Sequence, residues 1–185
     1  MSNYNKKDIK YLDHNELEKI IYSFKIDSFI DVRNLLLLYL ILDCGLRLSE
    51  IVNLKYNDFD FYHNIIKIDG REEKQRYVPL SDTLYKILEL YTILCIDDYY
   101  LTGKLLKNDN GENIAINNII SIFKNISKKS NIDVHPNILR HTFAINFLLN
   151  GGDLENLKIM LGHKSFYMSI NYFNFIKGIK KTTSF

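Results

Sequence analysis

The chain has 185 residues and a net charge of +2, with 46% apolar and 25% charged residues, ordinary values for one soluble globular domain with a sizeable core. Its most apolar run, Leu35 to Leu42, is far shorter than the roughly 20 residues of a membrane span, and the opening MSNYNKKDIK lacks the apolar stretch of a signal peptide. The charge is uneven: from Ser121 to Phe185 nine Lys or Arg face three Asp or Glu, +6, leaving −4 for the first 120 residues, and one basic half suits a protein that holds phosphates along one face.

A polar lead-in covers residues 1–10. Asp13 with Glu16 three residues later predicts a capping box opening a helix to about Phe24. A second helix is expected from Ile30 to Cys44, ended by Gly45, with a short one on SEIVNL. The period then changes. DFDFYHNIIKIDGREEKQRYVPL alternates, is rich in β-branched and aromatic residues, and breaks at His63–Asn64 and around Gly70 to Glu73. It predicts a small antiparallel sheet with two hairpin turns. Ser81 starts a helix that carries Leu84, Ile87, Leu88 and Tyr91 on one face. DNGEN reads as a loop, and helices follow over Asn117–Lys129, Pro136–Asn150, Asp153–Leu161 and Ser165–Asn174. The fold class is mainly α with a small antiparallel β-sheet insert (α+β), with no linker and no internal repeat. Cys44 and Cys95 sit in apolar helical patterns without metal-ligand spacing, and read as buried thiols of a cytoplasmic protein.

Four places carry candidate chemistry. In CGLRLSEIVNL, Arg47 follows a helix-ending glycine and Glu50 lies within its reach on a helical turn, an arrangement also met in surface salt bridges. In GREEKQRYVPL, a turn projecting Arg71, Lys74 and Arg76 offers cations to a groove or a phosphate. In HPNILRHTFA, Pro136 suits a first helical position, Asn137 and Arg140 share a face, and His141 is beside them. In MLGHKSFYMSINYFNF, Gly162 caps a helix, His163 follows in the bend with Lys164, and Tyr172 comes nine residues after His163.

GLRLSE, LRHTFA and LGH with a tyrosine nine residues on, with the hairpin ending in RYVPL between them, strongly resemble the catalytic domain of the tyrosine recombinase (phage integrase) family. The resemblance covers Leu12 to Tyr172. It implies the tyrosine recombinase catalytic-domain fold over residues 11–175, followed by a basic tail, 176–185, that packs on a neighbouring protomer. It implies a site-specific recombinase that cuts and rejoins DNA through a 3′-phosphotyrosyl intermediate on Tyr172, without metal or nucleotide cofactor. Arg47 and Arg140 would clamp the phosphate, His163 would donate to it and Glu50 would steady Arg47. Arg71, Lys74, Arg76, His141 and Lys164 would contact DNA. Tyr167, four residues after His163, falls where the family has no catalytic residue.

Two positions depart from the family. The hairpin lysine that acts as general acid aligns with Arg71, a charge clamp but a poor proton donor, and Lys74 is an equal candidate for the role. Asn137 stands where a histidine is usual; it can donate to phosphate but cannot take the proton of a tyrosine. These departures keep a second reading open, a DNA-binding regulator or accessory protein of the same fold, and a topoisomerase without site preference is a third. The family's N-terminal clamp domain is missing, as in short fimbrial-switch invertases or in a catalytic fragment. The expected partners are double-stranded DNA with a specific site and three further copies of the chain on that DNA; the protein alone is expected to be a monomer.

Overall fold

The computed structural model describes residues 9–70, 75–95 and 103–182, with side chains as far as Gly178. The described residues form eight α-helices and a small sheet: α1 (His14–Tyr22), α2 (Phe29–Leu42), α3 (Leu48–Ile51), α4 (Asp82–Leu94), α5 (Ile116–Ser130), α6 (Pro136–Leu149), α7 (Leu154–Leu161) and α8 (Phe166–Thr182). Strands β1 (Phe59–Asp60), β2 (Ile65–Asp69) and β3 (Gln75–Pro79) form an antiparallel meander between α3 and α4. Among the described residues no helix is long and apolar enough to cross a membrane.

The elements follow their local chemistry. Asp13 and Glu16 close a capping box on α1, with bonds of 2.8 and 3.0 Å. Helix α2 is apolar around almost its whole circumference because it is the centre of the core, with α4 and α6 packed against it. It stops at Gly45, whose backbone sits at φ +61°, and the N–H groups of Gly45 and Leu46 donate to the carbonyls of Ile41 and Leu40. In β2 and β3 the even-numbered residues are buried: Ile66 pairs with Val78 and Ile68 with Arg76, so Arg76 lies on the core face of its strand. The turn between β1 and β2 places Asn64 at φ +54°, where the sequence pattern breaks. Residues 71–74 of the second expected turn lie outside the described residues.

The hydrophobic interior has two parts. The larger runs from Leu12 through α1, α2, the sheet, α4 and α5 to Leu139; the smaller joins Phe143, Ala144 and Ile145 of α6 to Leu157 and Leu161 of α7 and Tyr172 and Ile176 of α8. Helix α6 belongs to both and fixes one against the other. The N–H of Leu12 donates to Thr142 Oγ1 at 2.9 Å, which ties the start of the described chain to the same helix. The last helix corrects the sequence reading: α8 does not end at Asn174 but runs to Thr182, so much of the expected basic tail is helical.

Gly45 makes a close approach as well as a turn. A Cβ there would come within 2.6 Å of Phe143 and 2.8 Å of Leu161. Gly45→Ala should therefore cost on the order of 2–5 kcal/mol, from the left-handed backbone and the overpacked contact together, measured by urea denaturation.

Candidate active site

The site is built on the seam between the two parts of the core. Arg47 is the residue before α3, a position fixed by Gly45 two residues upstream. Its backbone N–H donates to Glu50 Oε2 at 2.8 Å and its Nη1 to Glu50 Oε1 at 3.0 Å. Glu50 is buried, and its carboxylate also receives Nη1 and Nη2 of Arg76, both at 2.8 Å, in a two-pronged pair. Burial pushes the Glu50 carboxyl up, but the hydrogen bonds and charge of Arg76, then those of Arg47, outweigh it and hold the group below the usual carboxylate range.

All three arginines meet the C-terminal end of α7. Arg76 Nε donates to the carbonyl of Met160 at 2.8 Å, Arg140 Nη2 to that of Leu161 at 2.6 Å, and Arg47 Nη2 to that of Gly162 at 2.9 Å. Arg140 Nη1 also donates to the Gly45 carbonyl. Three successive carbonyls at the negative end of a helix are thus each taken by a different guanidinium. Gly162 is required twice over: its φ is +57°, and a Cβ would lie 3.1 Å from Arg47 Nη1 and 3.2 Å from Arg76 Nη1.

Arg140 feels this crowding. Desolvation, with the charges of Arg47 and Arg76, lowers its pKa to about 10, although Glu50 and Tyr172 oppose the shift. It stays charged at neutral pH, and with three guanidiniums against one carboxylate the cluster carries surplus positive charge. Arg47, with its side chain 32% exposed, is the member that opens to solvent. An anion placed beside Arg47 and Arg140 would relieve the repulsion.

Tyr172 completes the group from mid-α8. It is only 7% exposed, and burial raises its phenol, an effect that Arg140 partly offsets. Its hydroxyl lies 2.8 Å from His141 Nδ1. The His163 ring stacks parallel to that of Tyr172, with centroids 6.3 Å apart and 5° between planes, and its Nδ1 is 2.9 Å from Ser169 Oγ. Burial and then the charges of Arg140, Arg47 and Arg76 lower the His163 pKa to about 4, so the ring is neutral at pH 7. In the tautomer whose Nδ1 accepts from the Ser169 hydroxyl, the ring proton sits on Nε2 as a donor.

Of the residues named from sequence, Arg47, Glu50, Arg140, His163 and Tyr172 come together in one place. One expectation is corrected. Arg76 is not a projecting cation: it is buried on the inner face of β3, with Glu50 and the end of α7 as its partners. His141 is half-buried and turned to Tyr172. Lys164 is exposed beside His163. Asn137 is exposed at the start of α6, and its backbone N–H donates to His135 Nδ1 at 3.3 Å. Arg71 and Lys74 lie outside the described residues. The sequence reading missed Ser169 and the three backbone carbonyls. The β-alternation that put Val78 inward carried the signal for Arg76, two residues earlier on the same face. Among the described residues no group of three or more His, Cys, Asp or Glu side chains is placed to hold a metal ion.

A mainly helical domain with a small antiparallel sheet, whose last helix brings a tyrosine to two arginines and a histidine, has the architecture of a tyrosine recombinase catalytic domain. The chain belongs to the phage integrase family, which it matches over residues 10–177. It is 28% identical over 181 residues to the tyrosine recombinase XerC of Bacillus licheniformis, covering 94% of this chain and 60% of that protein. It is 31% identical over 169 residues to XerC of Staphylococcus aureus, covering 85% of this chain and 55% of that one. Its backbone is similar to that of the XerH site-specific recombinase bound to a palindromic difH substrate in a post-cleavage complex, with a TM-score of 0.83 and 25% identity over 98% of this chain and 55% of the other. The chain therefore spans somewhat more than half the length of these relatives.

Two measurements check the site. Removing the Glu50 charge leaves Arg76 buried and unpaired, so Glu50→Gln should destabilise the fold by about 3–5 kcal/mol in urea denaturation. Replacing both members, as in Glu50→Met with Arg76→Leu, should recover much of that loss. The His163 pKa is lower folded than unfolded, so the unfolded chain binds more protons between these values. Its contribution is complete above about pH 6.5 and is lost as pH falls toward about 4. Thermal melts across that window should show a steeper decline in the parent than in His163→Asn.

Proposed function

We propose that this domain is a site-specific DNA recombinase that cuts and rejoins strands through a covalent 3′-phosphotyrosyl intermediate on Tyr172. One observation carries the reading: a buried tyrosine hydroxyl lies beside Arg140 in a cluster with surplus positive charge, open to solvent at Arg47. A scissile phosphodiester bound there receives N–H donors from Arg47 and Arg140, and a further one from His163 Nε2. Tyr172 Oη attacks phosphorus and the bond to the 5′-oxygen breaks. That oxygen leaves with a proton from Lys74 or Arg71, the two candidates on the hairpin. Attack of a 5′-hydroxyl from the partner strand reverses the steps and releases the tyrosine. Each phosphodiester bond is exchanged for another of similar energy, so the sequence of steps needs no external energy source. Donors set in place before the reaction supply the largest share of the acceleration.

The DNA-bound XerH complex favours duplex DNA as the partner, and recombination between two sites calls for four copies of the domain, each cutting one strand. Arg47, Arg140, Lys164 and the hairpin cations face the phosphates in this reading, and the basic second half of the chain adds to the attraction.

Recovery of covalently attached DNA tests the proposal. Cells expressing the protein are lysed in hot detergent, with Tyr172→Phe as the control. Adducts at defined sequences, absent from the control, are the expected result. Adducts scattered without sequence preference would indicate a topoisomerase. DNA binding without adducts would leave a regulator of the same fold. Arg47→Ala and Arg140→Ala should each lower the rate of adduct formation by on the order of 10²-fold or more, as removal of a single oxyanion donor does.

A further inference from the structure

The reaction leaves one proton unassigned, that of the Tyr172 hydroxyl, and the residue that usually stands in the family's histidine position is here an asparagine. An amide has no proton affinity near neutral pH. Neither neighbouring histidine fills the gap. His135 accepts the Asn137 backbone N–H through Nδ1 at the exposed start of α6. His163 has its Nδ1 on Ser169, and its parallel stacking on Tyr172 presents ring face to ring face rather than a nitrogen to the hydroxyl.

We infer that His141 is the general base: its Nδ1 takes the Tyr172 proton as Oη attacks phosphorus, and returns it when the tyrosine leaves. This rests on the covalent reading above. The geometry is already that of proton transfer, with Nδ1 and Oη 2.8 Å apart and Tyr172 only 7% exposed. The role requires one tautomer: the tyrosine donates, Nδ1 carries the lone pair and Nε2 the ring hydrogen. The electron pair freed on Oη forms the new bond to phosphorus, the pair of the broken bond stays on the 5′-oxygen, and His141 becomes an imidazolium. In the resealing step that proton goes back to Oη as its bond to phosphorus breaks.

Electrostatics makes the arrangement responsive to substrate. Burial, then the charge of Arg140 next to it in the chain, lowers the His141 pKa and keeps the ring neutral when no phosphate is present. A phosphodiester on Arg140 cancels that charge, so the base strengthens as the target arrives. Base and phosphate clamp are consecutive residues of one helix, and their separation is fixed by α6 rather than by a loop.

The test uses His141→Asn, whose side-chain oxygen can occupy the place of Nδ1 and hold the tyrosine without accepting its proton. A pool of nicked duplexes with a randomised central segment serves as the probe, and trapped covalent complex is the readout. The expected result is a cleavage rate lower by about 10²–10⁴-fold with DNA affinity retained, and recovery of His141→Ala by added imidazole. His141→Asn cleaving at the parental rate would overturn the inference and leave the covalent reading standing. No complex from the parent would overturn both. Ring-nitrogen NMR of the parent, independent of any variant's folding, should show an unprotonated His141 Nδ1 whose resonance moves in Tyr172→Phe; a protonated Nδ1 would sink the proposal.

Discussion

The buried carboxylate of Glu50 is the interaction on which the site depends. It receives two N–H groups of Arg76, one from the Arg47 side chain and one from the Arg47 backbone, so every lone-pair direction is engaged inside the protein. Such a pair adds little net stability, since taking both charges out of water costs about as much as their attraction returns. Its effect is geometric. It fixes the guanidinium planes, and these in turn capture the last carbonyls of α7, which have no partner within their own helix. The two parts of the hydrophobic interior, already joined through α6 and Met160, are thereby also tied together by polar contacts at the site.

The three arginines divide the work by burial. Arg76 spends its donors on Glu50 and Met160 and is a scaffold for the other two. Arg140 is mostly enclosed, held by Gly45 and Leu161, and Arg47 reaches the surface. The excess positive charge is kept in place by covalent connection and by carbonyl dipoles. Burial first, and this charge added to it, lower the basicity of His163, His141 and Arg140 together. Tyr172 belongs with them: burial raises its phenol, and the charge of Arg140 works against that rise.

Much of this was legible in the sequence. The capping box at Asp13, the stop at Gly45, the alternation in β2 and β3 and the apolar face of α4 each came from local chemistry that tertiary structure left intact. The motif residues Arg47, Arg140, His163 and Tyr172 did meet. Arg76 was misread because its charge was weighed above its place in the alternation; a buried arginine is intelligible only once Glu50, 26 residues away, is seen against it. The length of α8 was missed because beyond Asn174 the apolar residues thin to Phe175, Ile176 and Ile179 among lysines and Gly178, and packing against Tyr11 and α7 was not visible. The carbonyls of Met160, Leu161 and Gly162 have no sequence signature at all, since every residue carries one. His141 reads as another polar neighbour of Arg140 until the fold brings Tyr172, 31 residues on, within hydrogen-bonding distance.

The environment also explains why arginine, rather than lysine, occupies position 140. Burial, then the charge of Arg47, lowers its pKa to about 10, and the side chain remains fully charged in the physiological range. An ammonium begins near 10.4, and the same burial beside the same cations would bring it within about one unit of neutrality, where it begins to lose charge. Geometry points the same way. Arg140 reaches the Gly45 carbonyl with one nitrogen and the Leu161 carbonyl with the other, and must keep further N–H groups for the phosphate proposed to bind there. A planar fork with five donors does this from a single rotamer, whereas a single ammonium would have to give up one partner to gain another. Charge persistence and simultaneous bonding are therefore one requirement at this position, imposed by the seam between the two parts of the core.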